Sequence, residues 1–207
     1  MASDAYMELE TRDLIGETRD ETFGMESAKA RSQGAFEIAS FGFSATSNRQ
    51  DPTDLAAKAA NGKGATKTSG APAAAGPAQT TITSVTIKKS VDASSAGLFQ
   101  LCCKQELINW AVITLREQGN DRKPWLILEF TKVYLDSFQW EVTPGGGGEE
   151  AKEFETLVFS FGTILIKYNA QRTSGVHEPI NIKGWNRELH QPNPIEDLGS
   201  EKWGQSS

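Results

Sequence analysis

The sequence predicts a mainly β fold, a barrel or sandwich, with one helix and one long extended loop. Three observations predict it. Residues 125–142, WLILEFTKVYLDSFQWEV, and 154–169, FETLVFSFGTILIKYN, are long runs rich in β-branched and aromatic residues. Residues 92–105 carry the helical period of one main helix. Residues 48–79 hold no aromatic residue and a single large aliphatic, Leu55, so they cannot bury enough apolar surface to order alone.

In chain order, Tyr6, Glu8 and Leu9 mark a short first strand, and residues 13–33 read as a charged loop broken by Gly16 and Gly24. Residues 34–47 alternate, with Ala35, Ala39, Phe41, Phe43 and Ala45 on one face, which predicts a strand. In the low-pattern insert, Asp51 and Pro52 open a short helical stretch that Asn61-Gly62 stops. Residues 80–90, TTITSVTIKKS, predict another strand. In DASSAGLFQLCCKQ, capping residues precede Leu98, Leu101 and Cys102 at helical spacing, so the main helix is expected there. Residues 107–117 and 125–142 are the next strands, the second about 60 Å long if fully extended.

Neither face of residues 125–142 is cleanly polar. A kink between Phe130 and Val133 would let both Leu126–Phe130 and Val133–Leu135 reach a core, as in strands that bend around a barrel. That leaves Trp125, Ile127, Tyr134 and Trp140 as apolar surplus, and such surplus marks an interface. The Gly-rich tip at 145–148 joins this strand to residues 154–169 as a long hairpin. Leu157, Phe159 and Phe161 mark one face before Gly162, and Ile164, Ile166 and Tyr168 the other after it, which predicts a bulge at the glycine. A last strand lies in EPINIKGWN, ahead of a polar tail.

Composition excludes several function classes. The chain has 207 residues, and its net charge of −6 with no Lys/Arg cluster argues against a nucleic-acid partner. No apolar stretch reaches spanning length, so no membrane insertion is expected. The start, MASDAYMELETRD, lacks a basic n-region and an apolar core; the chain is expected to be cytoplasmic when made, and any export to use no signal peptide. Cys102 and Cys103 are adjacent and supply neither a disulfide framework nor a metal site.

No catalytic constellation assembles, so no catalytic residue, cofactor or metal is expected. His177 and His190 sit in polar loops. GKGATKT at 62–68 lacks the glycine immediately before the lysine that a phosphate loop needs, and reads as linker. Glu149 and Glu150 follow the glycines as solvated acids, and Trp185 suits packing as well as sugar stacking.

Set in order, these segments resemble the haemolysin-coregulated protein (Hcp) family, the tube subunit of bacterial type VI secretion. The likeness runs from about Met7 to Asn186. Ile15-Gly16-Glu17-Thr18-Arg19-Asp20 resembles the family's Gly-Glu-Ser-x-Asp segment, with Thr18 for Ser. Glu37-Ile38-Ala39-Ser40-Phe41-Gly42-Phe43 resembles its second-strand block, with Phe43 in place of Trp. Lys88-Lys89-Ser90-Val91-Asp92 with Ser94 and Ser95 resembles the Lys-x-x-Asp-x-Ser-Pro helix entry without its proline, and Gly184-Trp185-Asn186 closes the series.

The resemblance implies a small antiparallel β-barrel of two packed sheets with one flanking helix over residues 1–186, an extended loop at 48–79 and a polar C-terminal tail at 187–207. It implies a homohexameric ring, stacked into a hollow tube that is exported with a spike protein at its tip, sheath proteins outside and effector cargo in the lumen. On that reading Trp125, Ile127, Tyr134 and Trp140 are candidates for the ring interface, and Leu55, Lys58, Lys63 and Lys67 for ring stacking. Two other readings stand beside it. One is a tail-tube protein of a phage or an extracellular contractile injection particle, which filaments on a phage-like baseplate would favour. The other is a glycan-binding or enzymatic β-domain, which a glycan-binding monomer would favour.

Overall fold

The computed structural model describes residues 3–11, 14, 16, 18, 35–48, 79–118, 124–143, 152–169 and 181–193. Among them are twelve strands and one helix: β1 (Ser3–Leu9), β2 (Phe36–Glu37), β3 (Ser40–Gly42), β4 (Ala45–Asn48), β5 (Gln79–Ile82), β6 (Val85–Ser90), α1 (Ser94–Lys104), β7 (Ile108–Glu117), β8 (Pro124–Thr143), β9 (Lys152–Ser160), β10 (Thr163–Tyr168), β11 (Asn181–Asn186) and β12 (Gln191–Pro192). All pairings are antiparallel. One sheet runs β12-β11-β10-β8-β7-β1-β2, and a second runs β3-β6-β9-β8.

β8 belongs to both sheets, which is why its sequence is apolar over such a length. Its first half pairs β7 and β10, and from Tyr134 onward it pairs β9. Two local features change which side chains face inward. Lys132 has φ 52, a left-handed backbone, and inward residues shift from Leu128 and Phe130 to Val133 and Leu135 across it. The register then slips between Leu135 and Ser137, so Asp136 is an extra residue. A bulge of this kind reverses the phase of the strand. Phe138 therefore lies opposite Leu157, on the same face as Leu135 opposite Phe159. The kink expected between Phe130 and Val133 is present; the Asp136 bulge was not legible.

At Gly162 the chain steps from β9 to β10. Its N–H donates to the Thr131 and Lys132 carbonyls at 2.9 and 3.2 Å, beside the Lys132 kink. The structure records its register shifts elsewhere, at Leu115/Arg116 and Leu135/Ser137. A Cβ on Gly162 would lie 3.2 Å from Lys132 Cβ, so close approach to the partner strand explains the glycine.

The single strands expected at 34–47 and 80–90 are each interrupted. Ile38 N–H donates to the Ala5 carbonyl and Ala39 N–H to the Lys88 carbonyl, so the chain leaves β1 for β6 between β2 and β3. Ser44–Thr83 forms a separate compact unit. There β4 pairs β5 from Ala45↔Ile82 to Asn48↔Gln79, and at the base Ser44 N–H donates to Thr83 Oγ1 at 2.8 Å. The short helix expected after Asp51 lies outside the described residues.

The core is apolar where the two sheets converge. Met7, Phe36, Ile87, Leu98, Ile113, Leu128 and Leu157 are at most 2% exposed. Each such side chain contributes about 1.5–3 kcal/mol on leaving water. The other face of the larger sheet is buried too, and it mixes polar Glu8, Thr114, Arg116, Glu129 and Lys167 with Val112, Ile127 and Leu165. Lys167 Nζ meets Glu129 Oε1 at 2.8 Å, and Arg116 Nη2 donates to the Tyr6 hydroxyl at 3.0 Å. This closes part of the question the sequence left open. The second face of β8 is covered within the chain around Ile127, which is 5% exposed.

Of the residues expected to form the polar tail at 187–207, those at 187–193 are described, and they turn back along β11. Arg187 N–H donates to the Gly162 carbonyl, its guanidinium lies over the Phe161 ring, and β12 pairs β11.

Candidate assembly surface

Helix α1 begins where the sequence placed it, and its entry is a charged junction. Asp92 Oδ1 accepts from Ser94 N–H at 2.8 Å and from Ser94 Oγ at 2.5 Å. Ser95 Oγ accepts from Asp92 N–H at 3.0 Å. The reciprocal pair is the capping-box arrangement, with serine in the returning role. Lys89, fully buried on β6, reaches the same carboxylate at 2.8 Å, Glu155 Oε1 on β9 at 2.7 Å and the Ser90 carbonyl at 2.8 Å. One ammonium thus ties two strands to the helix start. Lys89 stands directly opposite Glu155, so the contact also fixes their register.

The helix buries Leu98 and Leu101 and presents Phe99, 56% exposed. Phe99 meets Phe138 edge to face at 5.8 Å, and Phe138 meets Trp140 at 6.3 Å. Trp140 and Val142 are 54% and 52% exposed although they share the inward face of β8. The strand runs past the end of its own core. Its last residues pair β9 on one side, and no described strand lies on the other.

Of the four residues singled out for an interface, Trp140 and Tyr134 are exposed, on opposite faces of the smaller sheet. Trp125 is half-buried and packs edge-on against Tyr168 at 6.3 Å. Ile127 is buried, so it contributes to the chain's own packing rather than to its surface. Leu55, Lys58, Lys63 and Lys67 lie outside the described residues, as do His177, the 62–68 segment and Glu149 and Glu150. Phe99 and Phe138 were missed as surface residues. Phe138 could be found only by knowing the bulge at Asp136, and Phe99 follows Leu98 directly, on the flank of the buried stripe.

Trp185 is half-buried opposite Pro192 in β12. Cys102 and Cys103 are free thiols. Among the described residues no three His, Cys, Asp or Glu side chains group as metal ligands, and no helix is long and apolar enough to cross a membrane.

Residues 6–168 match the family model described as "Type VI secretion system effector, Hcp". The fold is shared with solved structures of low sequence identity. A type six secretion system protein is 17% identical with a TM-score of 0.69, covering 93% of this chain and 100% of its own. Hcp1 from Salmonella typhimurium is 16% identical at 0.61, with coverage of 93% and 100%. A type VI secretion system effector from Yersinia pestis is 12% identical at 0.55, with coverage of 88% and 99%. No curated protein matches the chain by sequence.

Proposed function

The chain belongs to the Hcp family of type VI secretion proteins, and from that premise we propose that it is a structural subunit of the secretion tube. Six copies close into a ring, rings stack into a hollow tube, and the tube leaves the cell with effectors in its lumen and a spike protein at its tip, driven by sheath proteins. The match over residues 6–168 carries this reading. The exposed aromatic side chains of Phe99 and Trp140 support it, because large apolar groups left outside a core mark contacts with another chain.

A ring requires a heterologous interface whose rotation closes. Trp140 belongs to that interface, with Tyr134 on the opposite face of the same strand. The insert at 48–79, with four basic and two acidic residues, reaches the next ring, whose residues 1–37 carry nine acidic and four basic ones. Leu55 and the alanines near it add apolar contact, while Lys58, Lys63 and Lys67 add attraction that salt screens over roughly 8 Å at physiological strength.

Negative-stain microscopy of the purified protein tests the reading. Six-fold rings, some stacked side-on, are expected. A field of featureless monomers at high concentration would end it.

A further inference from the structure

The larger sheet ends at β11 and β12, and β12 covers only part of β11. Pro192 and Gln191 stand opposite Trp185 and Asn186, and Asn193 N–H donates to the Gly184 carbonyl at 3.1 Å. The described pairing stops there. Backbone groups of alternate residues point to opposite sides of a strand. Gly184 points towards β12, so Ile182 points the same way, and its N–H and carbonyl have no partner among the described residues. An edge left open in this manner is a template for strand addition by another chain.

The register of β12 decides what the following residues, PIED at 194–197, would meet. With Trp185 opposite Pro192 and Gly184 bonded to Asn193, Pro194 falls opposite Lys183, Ile195 opposite Ile182 and Glu196 opposite Asn181. Each residue suits its place. Pro192 stands where its backbone nitrogen points away from β11, and Pro194, two residues on, takes the same orientation. Neither proline costs a ladder hydrogen bond there, and neither offers a donor on the outer side. Ile195 extends the cross-strand row of Ile127, Lys167 and Ile182, whose first two members are buried. Glu196 comes onto the exposed face of Lys183, as a diagonal neighbour of opposite charge.

We infer that residues 194–197 continue β12 along β11 and close the outer edge of the larger sheet within the chain. Alternate prolines then face outward, where a further strand would need donors, so this edge is shut to other chains. The occupant is the chain's own segment, placed by the register already set at Asn193. The closure holds for a single chain and for a ring alike. A second copy of the chain filling the same edge is the competing arrangement, and the test separates them.

The test uses disulfide pairs in the full chain carrying Cys102→Ser and Cys103→Ser. Asn181→Cys, at an exposed position, is combined either with Glu196→Cys, directly opposite in this register, or with Asp197→Cys, which alternation places on the other face. Opposed residues that exchange no hydrogen bond have Cα atoms about 4.5 Å apart, a separation that a disulfide spans. Mild oxidation should link positions 181 and 196 within one chain and leave the 181/197 pair reduced, as read by peptide mass mapping. A segment free of the edge would link both pairs alike, and that result overturns the inference. Links between chains would give the edge to a second copy and overturn it too, as would the absence of any link. Hydrogen exchange supplies a readout without new bonds: the Ile182 amide should be protected in the unsubstituted chain, and truncation after Asn193 should speed its exchange by about tenfold or more. Equal exchange at Ile182 in the two chains would contradict the closed edge.

Discussion

Lys89→Met is the substitution whose cost the structure defines most closely. Lys89 and Glu155 are both 0% exposed, and Nζ lies 2.7 Å from Glu155 Oε1 and 2.8 Å from Asp92 Oδ1. Methionine keeps most of the volume and removes the charge. Glu155 is then a buried carboxylate with no cation, and its Oε2 already makes no hydrogen bond. Breaking a buried pair from one side costs about 3–5 kcal/mol. Each kcal/mol lowers the melting temperature of a domain this size by about 2–4 °C, so a fall of about 6–20 °C is expected. The assay is thermal unfolding by circular dichroism at neutral pH and one fixed protein concentration, because assembly raises apparent stability. Lys89→Met/Glu155→Leu should recover most of the loss, since an apolar pair of similar volume is commonly neutral or better than a buried ion pair. A single variant within about 2 °C of the parent would refute the reasoning, and so would a double variant no better than the single.

Other perturbations separate smaller effects. Gly184→Ala should destabilise by about 1–3 kcal/mol through overpacking, because its Cβ would come 2.9 Å from Leu165 Cδ1 and 3.0 Å from the Ile164 carbonyl oxygen. Gly162→Val should lower the melting temperature more than Gly146→Val in the Gly-rich tip, given Lys132 Cβ and Cδ at 3.2 Å from the added atom; equal melts would reject close approach as the reason for Gly162. Lys132→Gly should be neutral to stabilising by about 1 kcal/mol, as glycine adopts φ 52 freely and the lost Glu188 pair is exposed. Replacing residues 48–79 with a short Gly/Ser linker should leave rings intact but abolish long tubes and secretion; tubes that persist would make the insert a passive linker.

The fold class was legible because the strands are long, and two runs of 16 or more residues with β-forming side chains leave few alternatives. The helix was legible through its cap: Asp92, Ser94 and Ser95 make the hydrogen bonds that their order predicts. What stayed hidden depends on partners far away in sequence. Nothing local marks Asp136 as an extra residue; the slip exists only relative to β9. Lys89 and Glu155 are separated by 66 positions, so a lysine in TIKKS reads as an exposed edge charge until β6 and β9 pair. Ile127 read as surplus because period 2 assumes one solvated face, and both faces are buried there. The division of residues 34–47 into three strands follows from a change of partner from β1 to β6, which alternation cannot register.

The native mass of the purified protein under non-dissociating conditions tests the central claim most directly. The account predicts a dominant species at six times the 22.5 kDa of one chain, with multiples of that species as rings stack. A spectrum showing only the single chain at high concentration and neutral pH would contradict it.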